Sequence, residues 1–515
     1  MRSFLRLHTL KSLSVVLVLS VVAALAAACS GGDASDDPNN RRTLRIGMVS
    51  GSQDSESYYR QEYTDMFELS KGNIDIEFQY ATDYSEMMYA SEEEQKEFQQ
   101  IDTYERLKEM LTGPNPVDVL VTDQGTMGRL IQDNLLVSLD SYIKKDKVDL
   151  EAFVPSVIES IREAGNNQVY GLTSTFSSSV LFYNKTLFSK AGVTPPTDGM
   201  TWDQIFDLAT QMSTGEGAER IFGLTLNDWN SELSMYSVNN IVAPLKLRMF
   251  DDKAETMTVN TPQWERAWER PIELAQQKVI PSAEDFVEEM PADGNYRYNP
   301  YSNRPFFTNR VAMMISNNYL INELKTYNDN VDKMENYEPL DWDVVTYPVL
   351  PEMPEASSGM YLGEVMVINA NAANADDAWE FIKFSTSKET AKFKARSTYQ
   401  MSSLTEFVKP LDGMAYNIEA FYKQKPIPYE YNQAEQSLYR ERPNLSYIQQ
   451  LGDQSFQKAV RGDLGVKEAL QEWQDNGNEL LQEIKQNPTG EIDLTPYLGD
   501  QEAIQREMLR RASGG

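Results

Sequence analysis

The stretch VYGLTSTFSSSVLFYNKTLFSKAGVTPPTDGMTWDQIFDLA, residues 169–209, decides the fold of this chain. Its apolar run, residues 180–183, is continuous rather than alternating, which is typical of a strand buried on both faces of a sheet. A short helical turn follows and stops at Gly192, and Pro195 and Pro196 then exclude helix. Thr201 is a good N-cap for an amphipathic helix that buries Trp202, Ile205, Phe206 and Ala209. We expect the chain to pass from one domain into another within this stretch.

The residues before it predict an α/β arrangement. Residues 43–49 and 73–80 alternate apolar and polar side chains, as half-buried strands do. Between them, one helical face collects Tyr59, Tyr63, Met66 and Phe67. Strand, helix and strand in this order form a βαβ unit.

A third strand is predicted over residues 117–121, and Asp123 and Gln124 follow at its carboxyl end. In open α/β sheets the ligand crevice lies outside the carboxyl ends of the strands, so both side chains are candidates for ligand contact. The alternative is helix capping, because Asp is common just before a helix. Farther along, residues 361–369 are predicted as another strand.

The length of 515 residues exceeds what one hydrophobic core usually organises, so two or more domains are expected. Residues 1–28 combine a basic start with an apolar segment, which is the layout of a secretory signal. The apolar segment, residues 13–28, is shorter than the roughly 20 residues that a comfortable membrane span needs. Cys29 follows three alanines and resembles the lipidated cysteine of a bacterial lipobox, although Ala26 stands where leucine is usual. We expect palmitate at Cys29, with ordinary secretion and a chance cysteine as the alternative. Residues 30–42 have the composition of a flexible tether.

The composition excludes several classes of catalytic site. His8 and Cys29 are the only histidine and the only cysteine, and His8 lies in the expected signal. The mature chain therefore cannot build a Ser-His-Asp triad, a Cys-His dyad or a His/Cys zinc site, which leaves carboxylate-pair, Ser-Lys and oxygen-ligand metal chemistry open. We expect neither cofactor nor metal. The net charge of −31 includes three basic residues of the signal, which leaves about −34 (−31 − 3) on the mature chain. Such a chain is not expected to bind nucleic acid or anionic lipid through its overall field.

Five segments occur in an order that resembles the extracellular solute-binding proteins of family 1, the maltose-binding type that serves ABC importers. They are residues 116–143, 168–209, 305–321, 360–391 and 462–484. Each segment alone is weakly specific, but together they extend over most of the mature chain.

The resemblance implies an α/β fold with two lobes, the type II periplasmic-binding-protein-like fold, joined by inter-lobe hinge crossings. The expected boundaries are a signal peptide at 1–28, a lipidated cysteine and tether at 29–42, lobe one at 43–172 and 358–407, and lobe two at 173–357 and 408–515. The implied function is capture of a small solute, a sugar or oligosaccharide, by closure of the two lobes. The protein would be a monomer on the extracytoplasmic face of the cell membrane, held by its lipid anchor alone, and its partners would be ABC permease subunits.

Sugar-binding members of the family combine aromatic rings with carboxylates and amides. A pyranose has an apolar face that packs on a ring, and its hydroxyls need hydrogen bonds once water is expelled. On this pattern the expected ligand contacts are Asp123, Gln124, Thr173, Ser177, Asn227, Trp229, Tyr236, Asn318, Tyr319, Gly363 and Glu364. Trp229 and Tyr319 are candidate platforms or core residues, and Glu364 is alternatively a partner for a buried cation or a solvent-facing side chain. Three other tryptophans lie on apolar helix faces and are expected in the core, namely Trp202, Trp379 and Trp473.

Two other functions stay open at this point. A secreted glycoside hydrolase needs only two carboxylates across a cleft, and the 78 acidic residues make such pairs easy to find. A surface sensor that presents a sugar to a receptor would have the same binding site as an importer subunit.

Overall fold

The computed structural model describes residues 41–498, except residues 89, 92–101, 229–231, 287–299, 302, 335–336, 396–399, 412 and 428–432. The predicted signal, Cys29 and almost all of the tether lie outside the described residues, as does Trp229.

Two sheets organise the chain. The strands are β1 (Arg42–Gly51), β2 (Ile74–Asp83), β3 (Val119–Thr122), β4 (Gly171–Leu172), β5 (Thr175–Asn184), β6 (Phe222–Thr225), β7 (Val311–Asn317), β8 (Trp342–Val345), β9 (Ala356–Ser357), β10 (Met360–Tyr361), β11 (Val365–Ile368), β12 (Met401–Ser402) and β13 (Lys425–Pro426). The first sheet has the order β2-β1-β3-β11-β4, and in the second sheet β10-β5-β7-β6 is joined by β8 and β12, which both pair with β5. Strands β1, β2 and β3 are parallel, as the βαβ reading predicts, whereas β11 runs antiparallel to β3 and β4.

Helices cover these sheets. They are Glu56–Tyr59, Asp65–Lys71, Tyr84–Met88, Thr103–Thr112, Gln124–Gln132, Asp140–Asp146, Pro155–Ala164, Lys185–Ala191, Trp202–Met212, Met235–Val242, Pro262–Gln276, Leu320–Asn330, Ala375–Ser385, Lys388–Lys394, Gln433–Glu441, Ser446–Arg461, Val466–Gln486 and Thr495–Leu498. A π-helical turn, Arg60–Thr64, joins the first two of them.

The central strand is β5, and its continuous apolar run is buried on both faces as predicted. Val180 and Phe182 belong to the core that packs on the first sheet and on one face of the second sheet. Leu181 and Tyr183 belong to the core on the other face of the second sheet. Because successive side chains of a strand point to opposite faces, each residue of the run packs into a different core from its neighbour.

The helix after this strand also begins where the sequence predicts. The Thr201 hydroxyl accepts a hydrogen bond from the Gln204 N–H, and the Gln204 side chain accepts one from the Thr201 N–H, which together form a capping box. Gly192 adopts φ +66° and ends the preceding helix, a conformation that favours glycine. The three tryptophans assigned to the core, Trp202, Trp379 and Trp473, are all buried.

The described chain passes between the two sheets at three places. The first is the turn from β4 to β5, the second is the link from β10 to β11, and the third leads from the helix Lys388–Lys394 to β12. The single strand predicted over residues 361–369 is wrong, because β10 belongs to the second sheet and β11 to the first. Its middle leaves both ladders: the Leu362 carbonyl accepts a hydrogen bond from the Gln124 N–H instead.

Strands β10 and β12 lie in segments that the predicted boundaries place in lobe one, yet both pair with β5 of the second sheet. The lobe boundaries stay a prediction.

Candidate functional site

The site forms where β3 ends, β11 begins and β5 passes by. Thr122 pairs with Val365 across the first sheet, and Tyr361 pairs with Ser177 in the second. These pairings bring Asp123, Ser177 and the Gly363-Glu364 turn to one place, at the carboxyl edge of the first sheet. Candidates that come from separate parts of the chain therefore meet at this edge.

Glu364 accepts hydrogen bonds from three neutral side chains. The Tyr63 hydroxyl lies 2.8 Å from Oε1, the Gln400 Nε2 lies 2.9 Å from the same oxygen, and the Thr175 Oγ1 lies 3.2 Å from Oε2. Burial, and after it the Glu364 charge, raises the pKa of Tyr63, so this hydroxyl keeps its proton at neutral pH. Among the described residues, no lysine or arginine forms an ion pair with Glu364. The carboxylate thus carries its charge with neutral donors only.

Two tyrosines at this edge present their rings to solvent. Tyr58 is 61% exposed and Tyr361 is 60% exposed. Burial of their hydroxyls raises the pKa of both, and nearby carboxylates raise it further: Glu62 and Glu364 for Tyr58, Asp123 and Glu364 for Tyr361. Each exposed ring therefore has carboxylates nearby, a combination suited to a ligand with an apolar face and hydroxyl donors.

Gly363 allows the ring of Tyr361 to lie where it does. A Cβ added at Gly363 would stand 2.5 Å from Cε1 of that ring, which is closer than van der Waals contact permits. The missing side chain at Gly363 therefore leaves the space that the Tyr361 ring occupies.

Asp123 and Gln124 both have structural partners. The Asp123 carboxylate accepts hydrogen bonds from the Thr126 N–H at 2.9 Å and the Thr126 hydroxyl at 2.7 Å, which caps the helix Gln124–Gln132. The Gln124 amide donates to the Ser160 carbonyl at 3.0 Å. Capping is thus realised at Asp123, whose half-buried carboxylate still influences Tyr361.

Thr173 and Asn318 are buried and bond to the backbone around β5. The Thr173 hydroxyl donates to the Thr175 carbonyl at 2.7 Å, which stabilises the turn of the first crossing. The Asn318 Oδ1 accepts from the Ser178 N–H at 3.3 Å. Ser177 is half-buried beside Tyr361, so it has surface that a ligand could reach.

Tyr319 belongs to a polar cluster in the second sheet. Its hydroxyl donates to Asp228 Oδ2 at 2.6 Å, and the Ser316 hydroxyl donates to the same oxygen at 3.1 Å. The buried Arg304 guanidinium lies 3.6 Å from that oxygen and also pairs with Glu323. The ring of Tyr319 is half-buried, and its polar end is committed to Asp228.

The remaining candidates follow β6. Asn227 is half-buried and follows the strand after Leu226, and Tyr236 is 67% exposed in the first turn of the helix Met235–Val242. No described contact joins either of them to Glu364 or Tyr361. Trp229 lies outside the described residues.

Sequence reasoning missed Tyr58, Tyr63, Tyr361 and Gln400 as parts of this site. A signal existed for Tyr361, since it precedes the Gly363-Glu364 candidates by two residues. Gln400 had none, because it follows a stretch without periodicity and meets Glu364 only through the fold.

A cavity of about 290 Å³ lies beside Glu364. Its walls include Tyr63, Ser174, Glu364, Phe393 and Lys394. The Lys394 Nζ pairs with Glu62 at 3.0 Å and lies 5.3 Å from the centre of the Tyr63 ring.

None of the helices formed by the described residues has the length and apolarity needed to cross a membrane. None of the acidic, histidine or cysteine side chains of these residues form a group of three that could hold a metal ion.

Solved structures share this architecture. A sugar transporter from Rhizobium etli, in an open conformation, superposes with a TM-score of 0.54 at 18% identity, covering 86% of this chain and 99% of that one. The sugar-binding protein MalE from Xanthomonas citri gives a TM-score of 0.53 at 16% identity, covering 88% and 100%. The predicted two-lobed α/β solute-binding fold is confirmed.

The sequence relatives match smaller shares of this chain and of their own length than the solved structures do. A Brucella abortus protein described only as a candidate binding protein is 24% identical over 273 residues, and the match spans 51% of this chain and 57% of that protein. The sn-glycerol-3-phosphate-binding periplasmic protein UgpB of Pectobacterium atrosepticum is 21% identical over 354 residues, 66% of this chain and 72% of that one.

A family model described as bacterial extracellular solute-binding protein matches residues 51–392, which is well over half of the chain. The expected resemblance is confirmed, and this chain belongs to the bacterial extracellular solute-binding protein family.

Proposed function

We propose that this protein captures a neutral sugar or oligosaccharide between its two lobes outside the cytoplasm and delivers it to the permease of an ABC importer. The observation that carries the proposal is the exposed ring of Tyr361 beside Ser177, Asp123 and Glu364, at the point where the chain passes between the sheets. A ring for the apolar face of a pyranose and oxygen acceptors for its hydroxyls are what such a ligand requires. A micromolar dissociation constant needs about −8 kcal/mol, within reach of a few such contacts.

The charge at this edge favours a neutral ligand. Asp123 and Glu364 carry negative charge, and neither has an ion-pair partner among the described residues. A phosphate or carboxylate on the ligand would be repelled by these groups, and the described cation on the wall of the adjoining cavity, Lys394, is already paired with Glu62 at 3.0 Å. UgpB is a glycerol-phosphate-binding protein, and this chain is proposed to differ from it in that respect.

No catalytic step is part of the proposal. The known relatives are binding proteins, and the Glu364 carboxylate is engaged by three donors. A hydrolase would cut the saccharide that it binds. A sensor would need the same site, and deletion of the permease genes separates the two: uptake of the sugar stops only if this protein serves an importer.

The direct test is ligand-dependent stabilisation. We expect residues 30–515, which retain every described element, to melt at a higher temperature with at least one neutral saccharide from a panel of mono- and oligosaccharides, without turnover. Tyr361→Ala should weaken that binding by roughly 1–3 kcal/mol, whereas Tyr361→Phe keeps the ring and should bind nearly as the wild type does. A panel that gives no shift, or glycosidic bonds that are cut, would contradict the proposal.

The membrane anchor is a separate part of the proposal, carried by Cys29 after three alanines. We expect the wild type to incorporate labelled palmitate and to sediment with membranes, and we expect Cys29→Ser to do neither. Labelling of the Cys29→Ser variant would remove this part and leave sugar capture intact.

A further inference from the structure

One carboxylate contacts all three crossings between the sheets. Glu364 itself lies on the second crossing, between β10 and β11. Thr175, 3.2 Å away, is the first residue of β5 after the first crossing, and Gln400, 2.9 Å away, precedes β12 on the third. The fourth member, Tyr63, comes from the π-helical turn that covers the first sheet.

The crossings are also joined to each other. The Thr175 hydroxyl lies 2.9 Å from Gln400 Oε1 as well as 3.2 Å from Glu364 Oε2, and its single proton can serve only one of them at a time. Backbone bonds run in parallel, because the Ser403 N–H donates to the Ser174 carbonyl at 2.9 Å. Glu364, Gln400 and Thr175 thus form a triangle of side chains that lie within hydrogen-bond distance of one another, with the Thr175 proton shared between its two acceptors.

Hydrogen bonds to a charged acceptor are strong and lose strength quickly with distance. A change in the angle between the sheets that displaces one crossing relative to the other two would stretch this triangle. The cavity of about 290 Å³ that borders Tyr63 and Glu364 leaves room for these side chains to move.

We infer that Glu364 is a positioning residue, which fixes the resting angle between the lobes through Tyr63, Thr175 and Gln400. The role rests on the proposed capture by lobe closure, since only a protein that opens and closes needs such control. Glu364 then affects affinity through the population of the binding-competent angle, in addition to any contact of its own.

The test is the inter-lobe distance without ligand. Residues 30–515 contain no cysteine, so dyes can be attached after Lys144→Cys on the first sheet's side and Glu479→Cys on the second, and energy transfer reports the distance. Both positions are exposed. We expect Glu364→Gln and Tyr63→Phe to shift or broaden the distance distribution. For a saccharide that stabilises the wild type, both variants should bind roughly tenfold more weakly.

The matched control is Tyr497→Phe. The Tyr497 hydroxyl donates to Glu483 at 2.6 Å, so this variant also removes a Tyr–Glu hydrogen bond, but one far from the crossings. It should lower the melting temperature without changing the distance. If Tyr63→Phe and Glu364→Gln behave like Tyr497→Phe, or weaken binding with an unchanged distance, the positioning role is overturned. If Glu364→Gln does not fold, Tyr63→Phe decides, because it removes a single oxygen. The distance is read without sugar, so failure of the sugar proposal shows only in the ligand panel.

Discussion

Two carboxylates of this protein, Glu364 and Asp228, have similar partners in different places. Each accepts a hydrogen bond from a tyrosine, Tyr63 at 2.8 Å and Tyr319 at 2.6 Å. Each also accepts from a Ser or Thr hydroxyl, at 3.2 Å and 3.1 Å. The third partner differs: it is the neutral Gln400 amide for Glu364 and the Arg304 guanidinium for Asp228.

The origin of the partners differs as well. Ser316, Tyr319 and Arg304 all lie in or near β7, so the Asp228 cluster stabilises one part of the second sheet. The partners of Glu364 come from three segments far apart in the chain. The same chemistry therefore stiffens one lobe in the first case and links crossings in the second. The charge of Asp228 is offset locally by Arg304, whereas the charge of Glu364 has no paired cation among the described residues and can act on a ligand.

The largest effect should come from removing the cation of the Asp228 cluster. Arg304→Met leaves a buried carboxylate without its positive partner, and we expect the free energy of unfolding to fall by about 3–5 kcal/mol, measured by denaturant titration. The control is Lys325→Met, which breaks an exposed pair with Asp329 and should cost at most about 0.5 kcal/mol. Equal losses in the two variants would mean that the Asp228 cluster is not the compensated pair described above.

Removing the tyrosine hydroxyl of the same cluster should have a smaller effect. Tyr319→Phe loses a hydrogen bond to a charged group, and because the side chain is half-exposed we expect a loss of about 1–2 kcal/mol. Unlike Tyr63→Phe, it should leave the inter-lobe distance and the saccharide affinity unchanged, since the ring remains and no crossing is involved. A shift in that distance would mean that Tyr319 acts at the hinge, which would contradict the distinction between Glu364, which links the crossings, and Asp228, which does not.

The uncompensated charge at the Glu364 edge should appear in ligand selectivity. For any neutral saccharide that binds, its phosphorylated form is expected to bind at least about tenfold more weakly, a difference of about 1.4 kcal/mol. Titration calorimetry at two ionic strengths checks the cause, because added salt should narrow the gap. Equal or tighter binding of the phosphate would mean that a cation such as Lys394 offsets these charges, and would overturn the neutral-ligand proposal.

Local patterns were enough for the parts of the fold that depend on local physics. The run 180–183 was predicted as a doubly buried strand because apolar continuity leaves no solvent face, and Thr201 because its side chain can cap the helix that follows. The family segments then gave the two-lobed arrangement. Residues 361–369 were misread because their composition does not record that the chain leaves the second sheet after Tyr361 and enters the first at Val365.

The site was harder to predict for the same reason. Asp123 was placed correctly at a strand end, but its actual partner, Thr126, is the one that capping requires. The Tyr63–Glu364 bond joins residues 301 positions apart, and the Glu364–Gln400 bond crosses a stretch without periodicity. Such pairings follow from how three crossings converge, which no window of sequence contains.

A third carboxylate, Asp453, completes the comparison, because burial acts on it without a partner. It is half-buried on the helix Ser446–Arg461, and within the described chain it makes neither a hydrogen bond nor an ion pair. Burial raises the pKa of Asp453 above its ordinary value of 3.8. The folded state therefore holds this proton more tightly than the unfolded state does.

The sign of the expected pH dependence follows. The contribution of Asp453 to stability is fully present below pH 3.8 and is lost as the pH rises through the raised pKa of the folded state. Asp453→Asn stays neutral, so it should stabilise the protein at pH 7 by less than about 1 kcal/mol, and the gain should vanish near pH 3. Asp475→Asn, at an exposed position of the helix Val466–Gln486, is the control and should change stability little at either pH. A gain at pH 7 that persists at pH 3, or no gain at all, would mean that burial alone does not disfavour a charged carboxylate in this protein. The hydrogen bonds to Glu364 would then not be needed to keep its carboxylate charged without a cation.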